Sequence, residues 1–186
     1  MPFYRTALLI CLALAACAVT PPPDTATVPF AAFGTMDNDV AAANLAGWAF
    51  ADPARTANDP VDGARAVAAV DFLAGELSSN PRWVMMSPFT KQDMLQARSE
   101  LRQLLGIVAN TPSQVVTNAL LQFADQWQAD RRRVALQILT APGFTQPPEQ
   151  TLRVLSNLPF NRAANIAGMN ASNQVFPGGE FGRAGR

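Results

Sequence analysis

Glu76 and Asp71 are the acids whose setting best suits acid–base chemistry. Glu76 follows Phe72 and Leu73 in an alanine-rich run, and two carboxylates converging in a cleft can cleave a glycosidic bond without histidine. Glu76 is therefore the one catalytic candidate, and an ordinary solvated or paired carboxylate is the simpler reading. Ser87 and Lys91 invite comparison with a serine–lysine pair, but that motif places lysine at serine plus three. Here the spacing is plus four across Pro88, which favours helix capping and solvation. Asp37-Asn38-Asp39 lacks the glycine and distal glutamate of a calcium loop and reads as a helix cap, so no metal site is expected. Arg131-Arg132-Arg133 is the densest charge run, yet consecutive helical residues point about 100° apart and cannot form one contact row.

The inventory excludes more than it suggests. There are 14 basic and 14 acidic residues in 186, no histidine, two cysteines and one tyrosine, Tyr4. Ser-His-Asp and Cys-His catalysis and Cys/His zinc sites are ruled out. A near-neutral chain supplies no broad field for nucleic acid, so no such partner is expected. No motif calls for a cofactor.

The elements that must position these residues are helices separated by prolines and caps. Asp37 or Asn38 caps a first helix to about Phe50. Asp59-Pro60 opens a second through about Ser79, apolar around much of its circumference and so the candidate central helix. Thr90-Lys91-Gln92-Asp93 resembles a capping box and predicts a third helix ending near Leu105, before Gly106. It packs by Met94, Ala97, Leu101, Leu104 and Leu105, with Arg98 and Arg102 on the polar remainder. Thr111-Pro112 starts the longest candidate, to about Thr140, with Val116, Leu120, Phe123, Trp127, Val134 and Ile138 on one stripe. Short helices follow Pro147-Pro148 and Pro159. The fold class is all-α: an irregular or orthogonal bundle of five to seven helices after a Pro-rich tether.

Two places read as contact surface. Arg82-Trp83-Val84-Met85-Met86 joins two helices yet is apolar, so it is either tucked against the core or presented; Trp83, Met85 and Met86 are the residues at issue. Arg131 stands four residues after Trp127 within the apolar stripe, where it snorkels, pairs with a carboxylate or meets a partner. Trp48, Trp83, Trp127, Phe72, Phe89 and Phe123 are otherwise expected to fill the core.

The amino terminus carries the sharpest signal. Arg5, the apolar run Ala7 to Ala16 and the small residues before Cys17 have the layout of a secretory signal, too short to span a bilayer. Leu14-Ala15-Ala16-Cys17 resembles the lipobox of bacterial lipoproteins. That resemblance implies cleavage before Cys17, lipidation of its sulfur and, with Ala18 following, sorting to the periplasmic side of a Gram-negative outer membrane. The membrane would be a partner through the acyl chains on Cys17. Removing residues 1–16 from 186 leaves 170. The expected organisation is a signal peptide over 1–16, a lipidated terminus and flexible tether over 17–33, a helical domain over 34–172 and a flexible tail over 173–186. Extended at about 3.1 Å per residue, the first dozen tether residues would reach roughly 35–40 Å. The functional expectation is a lipid-anchored, noncatalytic structural or protein-interaction module of the cell envelope, with an envelope protein as partner. The alternatives are a carboxylate-dependent peptidoglycan hydrolase at Glu76 and a carrier of a small apolar ligand.

Overall fold

Asp59 fixes where the longest helix begins. Its carboxylate accepts from the N–H groups of Val61 and Asp62 at 2.9 and 3.1 Å, and Pro60 occupies the first helical position, where no donor is needed. The computed structural model of the chain describes residues 24–34 and 37–175. Within them lie seven α-helices: α1 (Asn38–Ala49), α2 (Pro60–Ser79), α3 (Pro88–Leu104), α4 (Ser113–Gln128), α5 (Arg132–Ile138), α6 (Pro148–Ser156) and α7 (Arg162–Val175), with short 3-10 turns at Pro53–Arg55 and Pro81–Trp83. The protein is an all-α bundle, and none of these helices is long and apolar enough to cross a membrane. The signal, Cys17 and residues 176–186 lie outside the described residues.

α2 is the central helix. Val67, Val70, Leu73 and Leu77 are buried along it, α4 packs on one side and α1 on another, and α6 crosses near Gly63, where any side chain would strike the Leu155 carbonyl. α7 lies along α1 and against α3. The α1–α7 crossing is made by small residues: a Cβ on Gly168 would sit 2.8 Å from the Ala46 backbone, so the two main chains meet there directly.

Four expectations are corrected. The helix expected over Thr111–Thr140 is two helices. After α4 the chain turns through Asp130 in the left-handed region at φ 59°, with the Arg131 N–H on the Gln126 carbonyl at 2.9 Å and the Asp130 N–H on that of Trp127 at 3.1 Å. This is a Schellman ending, with aspartate in the place glycine usually takes. Gly106, at φ 64°, ends α3 the same way, with Ile107 N–H on the Arg102 carbonyl. Second, α3 begins at Pro88, not at a capping box on Thr90; Thr90 is buried and its hydroxyl accepts from the Gln174 amide of α7. Third, the segment assigned to the tether is docked from Asp24 onward. Ala26 is buried, Val28 packs against the core, and the Phe33 ring lies 5.5 Å from that of Phe72. Fourth, at the other end α7 continues to Val175, past the Ser172 boundary.

Candidate interaction surface

The link between α2 and α3 is built as a wedge. Asn80 leaves α2 in an extended conformation and its side chain accepts from the Arg82 N–H at 2.9 Å, so the turn begins with a cap of its own and Pro81 as its first residue. Trp83 and Met86 then point inward, 8% and 6% exposed, while Val84, Met85 and Phe89 stand in solvent at 71%, 91% and 82%. The segment is thus both tucked and presented: two large side chains root it and three neighbours are displayed.

Polar contacts tie the wedge to the start of α1 and to α7. The Trp83 indole N–H donates to Asp39 Oδ2 at 2.9 Å. The Arg82 guanidinium lies 4.6 Å over the Trp83 ring and reaches Asp37 Oδ2 at 2.6 Å and Asp39 Oδ2 at 3.3 Å. From α7, Gln174 accepts from the Ser87 N–H at 3.0 Å and donates to Thr90 at 2.7 Å. Asp37 also caps α1, accepting from the Asp39 N–H at 3.1 Å. Burial pushes the Asp39 carboxyl above its usual range, and the nearby charges of Glu76 and Asp37 add to this against the opposing pull of Trp83 and Arg82. At Asp37 burial is the largest single influence and acts to raise the carboxyl, but the hydrogen bond and charge of Arg82 and the N–H groups of Asp39 and Val40 together outweigh it and hold it below the usual range.

Glu76 borders this cluster, and its carboxylate accepts from the Asn80 amide one turn on. It does not meet Asp71: five helical residues separate them, about 140° around α2, and Asp71 is held by Arg102. Arg102, expected on the polar face of α3, is buried. It binds Asp71 through Nε and Nη2 at 2.7 and 2.8 Å, the carbonyls of Ala109 and Thr111 through Nη1 at 2.9 and 2.7 Å, and Ser113 Oγ at 2.9 Å. All five guanidinium donors are used, which is the condition for a buried charge to be tolerated.

The second expected surface lies elsewhere. Trp127 is half-buried beside Phe123, at the end of α4 whose Asp125 meets Arg65 near the start of α2. The wedge follows the other end of α2, so Trp127 is not part of one patch with Trp83, Met85 and Met86. Because the helix breaks at Asp130, Arg131 leaves the apolar stripe and reaches Gln126 at 3.2 Å, while Arg132 stacks 4.0 Å over the Trp127 ring. Of the aromatic residues expected in the core, Phe89 and Trp48 are exposed. A cleft of about 330 Å³ opens between Pro29–Ala32, α2 and α4, with Phe30 and Leu121 on its apolar side and Arg65, Asn118, Gln122 and Asp125 on its polar side. Among the described residues no acidic or cysteine cluster is arranged to hold a metal.

No protein-family model, curated protein or solved structure matches the chain.

Proposed function

We propose that the chain is a lipid-anchored protein of the cell envelope, held through acyl chains on Cys17, whose helical domain faces the periplasm and docks an envelope protein through Val84, Met85 and Phe89. The lipobox-like run Leu14-Ala15-Ala16-Cys17 supports the anchoring. The observation that carries the docking is the wedge itself: three large apolar side chains are exposed within six residues on a segment that Trp83 and Met86 pin to the core. Apolar groups held this rigidly meet a partner without the entropy cost of ordering a loop. The acids Asp37 and Glu76 and the Arg82 guanidinium form a polar border beside them.

The test is a photo-crosslinking residue placed at position 85 in intact cells, with the same residue at exposed position 103 on α3 as control. A discrete adduct with an envelope protein is expected from position 85, lost with Phe89→Asp and absent from position 103. Equal adducts at both positions, or adducts indifferent to Phe89→Asp, would refute the docking surface. Unchanged acyl labelling of Cys17→Ser would refute the anchor.

A further inference from the structure

Asp24 performs a task that no residue near α4 in sequence performs. α4 starts after Pro112 with no side-chain cap from its own flank. Its first N–H, on Ser113, donates instead to Asp24 Oδ1 at 2.7 Å, and the Ser113 hydroxyl donates to Asp24 Oδ2 at 3.0 Å. Arg98 and Arg102 reach the same carboxylate oxygen at 3.4 and 3.5 Å, and Arg98 also reaches the Asp24 carbonyl at 3.3 Å. Further along the strap, Gln114 grips the Thr27 backbone at both ends, accepting its N–H at 2.7 Å and donating to its carbonyl at 2.9 Å. Gly75 of α2 lies beneath, where any Cβ would collide with the Asp24 carbonyl and Thr25 Cα. Residues 24–28 are therefore clasped by charge, by a helix terminus and by backbone shape together.

We infer that Asp24 and its clasp are the fixed point of the membrane anchor, so that the working tether is Cys17–Pro23 alone and the α4 amino-terminal end of the domain faces the lipid surface. This rests on the lipoprotein reading of Cys17. The seven residues from Cys17 to the clasp span at most about 25 Å when fully extended, whereas α2 alone is about 30 Å long at 1.5 Å per residue. A leash shorter than the body it holds keeps the clasped end from turning to the side away from the membrane. The exposed residues beside the clasp, Ala109, Asn110 and Pro112, lie on the membrane side, and α7, which packs on α1 and α3 rather than on α4, lies away from it.

The experiment uses the full chain, processed and lipidated, carrying a donor dye at Asn110→Cys or Asn173→Cys, both exposed positions. It is reconstituted on phosphatidylethanolamine–phosphatidylglycerol vesicles with a short-range acceptor at headgroup level. Energy transfer at least twofold more efficient from position 110 than from 173 is expected. A Gly-Ser insertion of about 20 residues between Pro23 and Asp24 should remove that difference, and Asp24→Ala should reduce it. Equal transfer in the unaltered acylated chain, or a difference that survives the insertion, overturns the inference alone. Intact-mass measurement of the same preparation separates the two failures: absence of an acyl mass overturns the lipoprotein reading and the inference with it.

Discussion

Arg102 meets Asp71 edge to edge, two hydrogen bonds joining α3 to α2 with both side chains under 5% exposed. The remaining guanidinium donors hold the Ala109–Ser113 turn, so one side chain organises the start of α4 as well as the α2–α3 contact. Removing Asp71 leaves the Arg102 charge buried without its two short hydrogen bonds, with only the Asp24 carboxylate at 3.5 Å still opposite it. Asp71→Ala is expected to cost about 3–5 kcal/mol in urea unfolding. Because an apolar pair avoids that orphaned charge, Asp71→Leu with Arg102→Met should recover a large part of the loss. A double variant no better than Asp71→Ala would show that the Ala109–Ser113 contacts, rather than the ion pair, dominate.

Asp39 gives the wedge a pH dependence. Its carboxyl is pushed up by burial and by Glu76 and Asp37, so the folded state binds its proton more tightly than the unfolded state does. Stability from this group falls as pH rises from the unfolded carboxylate value, near 3.8, through the higher folded value. Asp39→Asn keeps an acceptor for the Trp83 indole and removes the titration. The stability of the parent relative to Asp39→Asn should therefore decline across that window and level off above it; a difference that grows with pH would contradict the assignment. Asp37 acts in the opposite sense, its contribution being present at neutral pH and lost as pH falls through its lowered value.

Asp130 sits in the left-handed region at φ 59°, which costs a residue with a Cβ roughly 1–2 kcal/mol, less for aspartate than for most. Its ion pair with Arg132 is solvent-exposed and contributes little. Asp130→Gly should stabilise the protein by up to about 1 kcal/mol, visible as a raised melting temperature. Asp130→Val should do the reverse.

At the α1–α7 crossing, Gly168→Ala must push a methyl into the Ala46 backbone. Overpacking of this kind costs about 1–3 kcal/mol. Hydrogen exchange should show α7 opening more readily while α2 stays protected, since the strain falls on one contact.

The helices are legible where local chemistry alone sets them. Asp59-Pro60 and Gly106 punctuate the chain by rules that act within a few residues, and α2 and the end of α3 lie where those rules place them. The break at Asp130 is hidden because aspartate takes the left-handed position and the apolar spacing continues across it. Arg102 is hard to place because its neighbours on α3 are polar. Its burial is decided by Asp71, 31 residues earlier, and by carbonyls that only the folded turn brings within reach.

The candidate surface is legible in part for the same reason. An apolar run between two helices signals either burial or display, and alternation between Trp83 or Met86 inward and Val84 or Met85 outward depends on a tight turn that composition does not reveal. The strap that begins at Asp24 leaves the least trace in the sequence. Prolines and small residues suggest a free chain, and the groove that receives them is assembled from three helices much further along.

That strap also sets an order of events. Asp24 leaves the ribosome well ahead of its partner Ser113, which follows 89 positions later. A contact of such long sequence separation must bear the entropy of closing a large loop before it stabilises anything. Docking of the strap is therefore expected only after α2, α3 and α4 have met, and pulse-labelling hydrogen exchange should show the Thr27 amide protected later than those of α2.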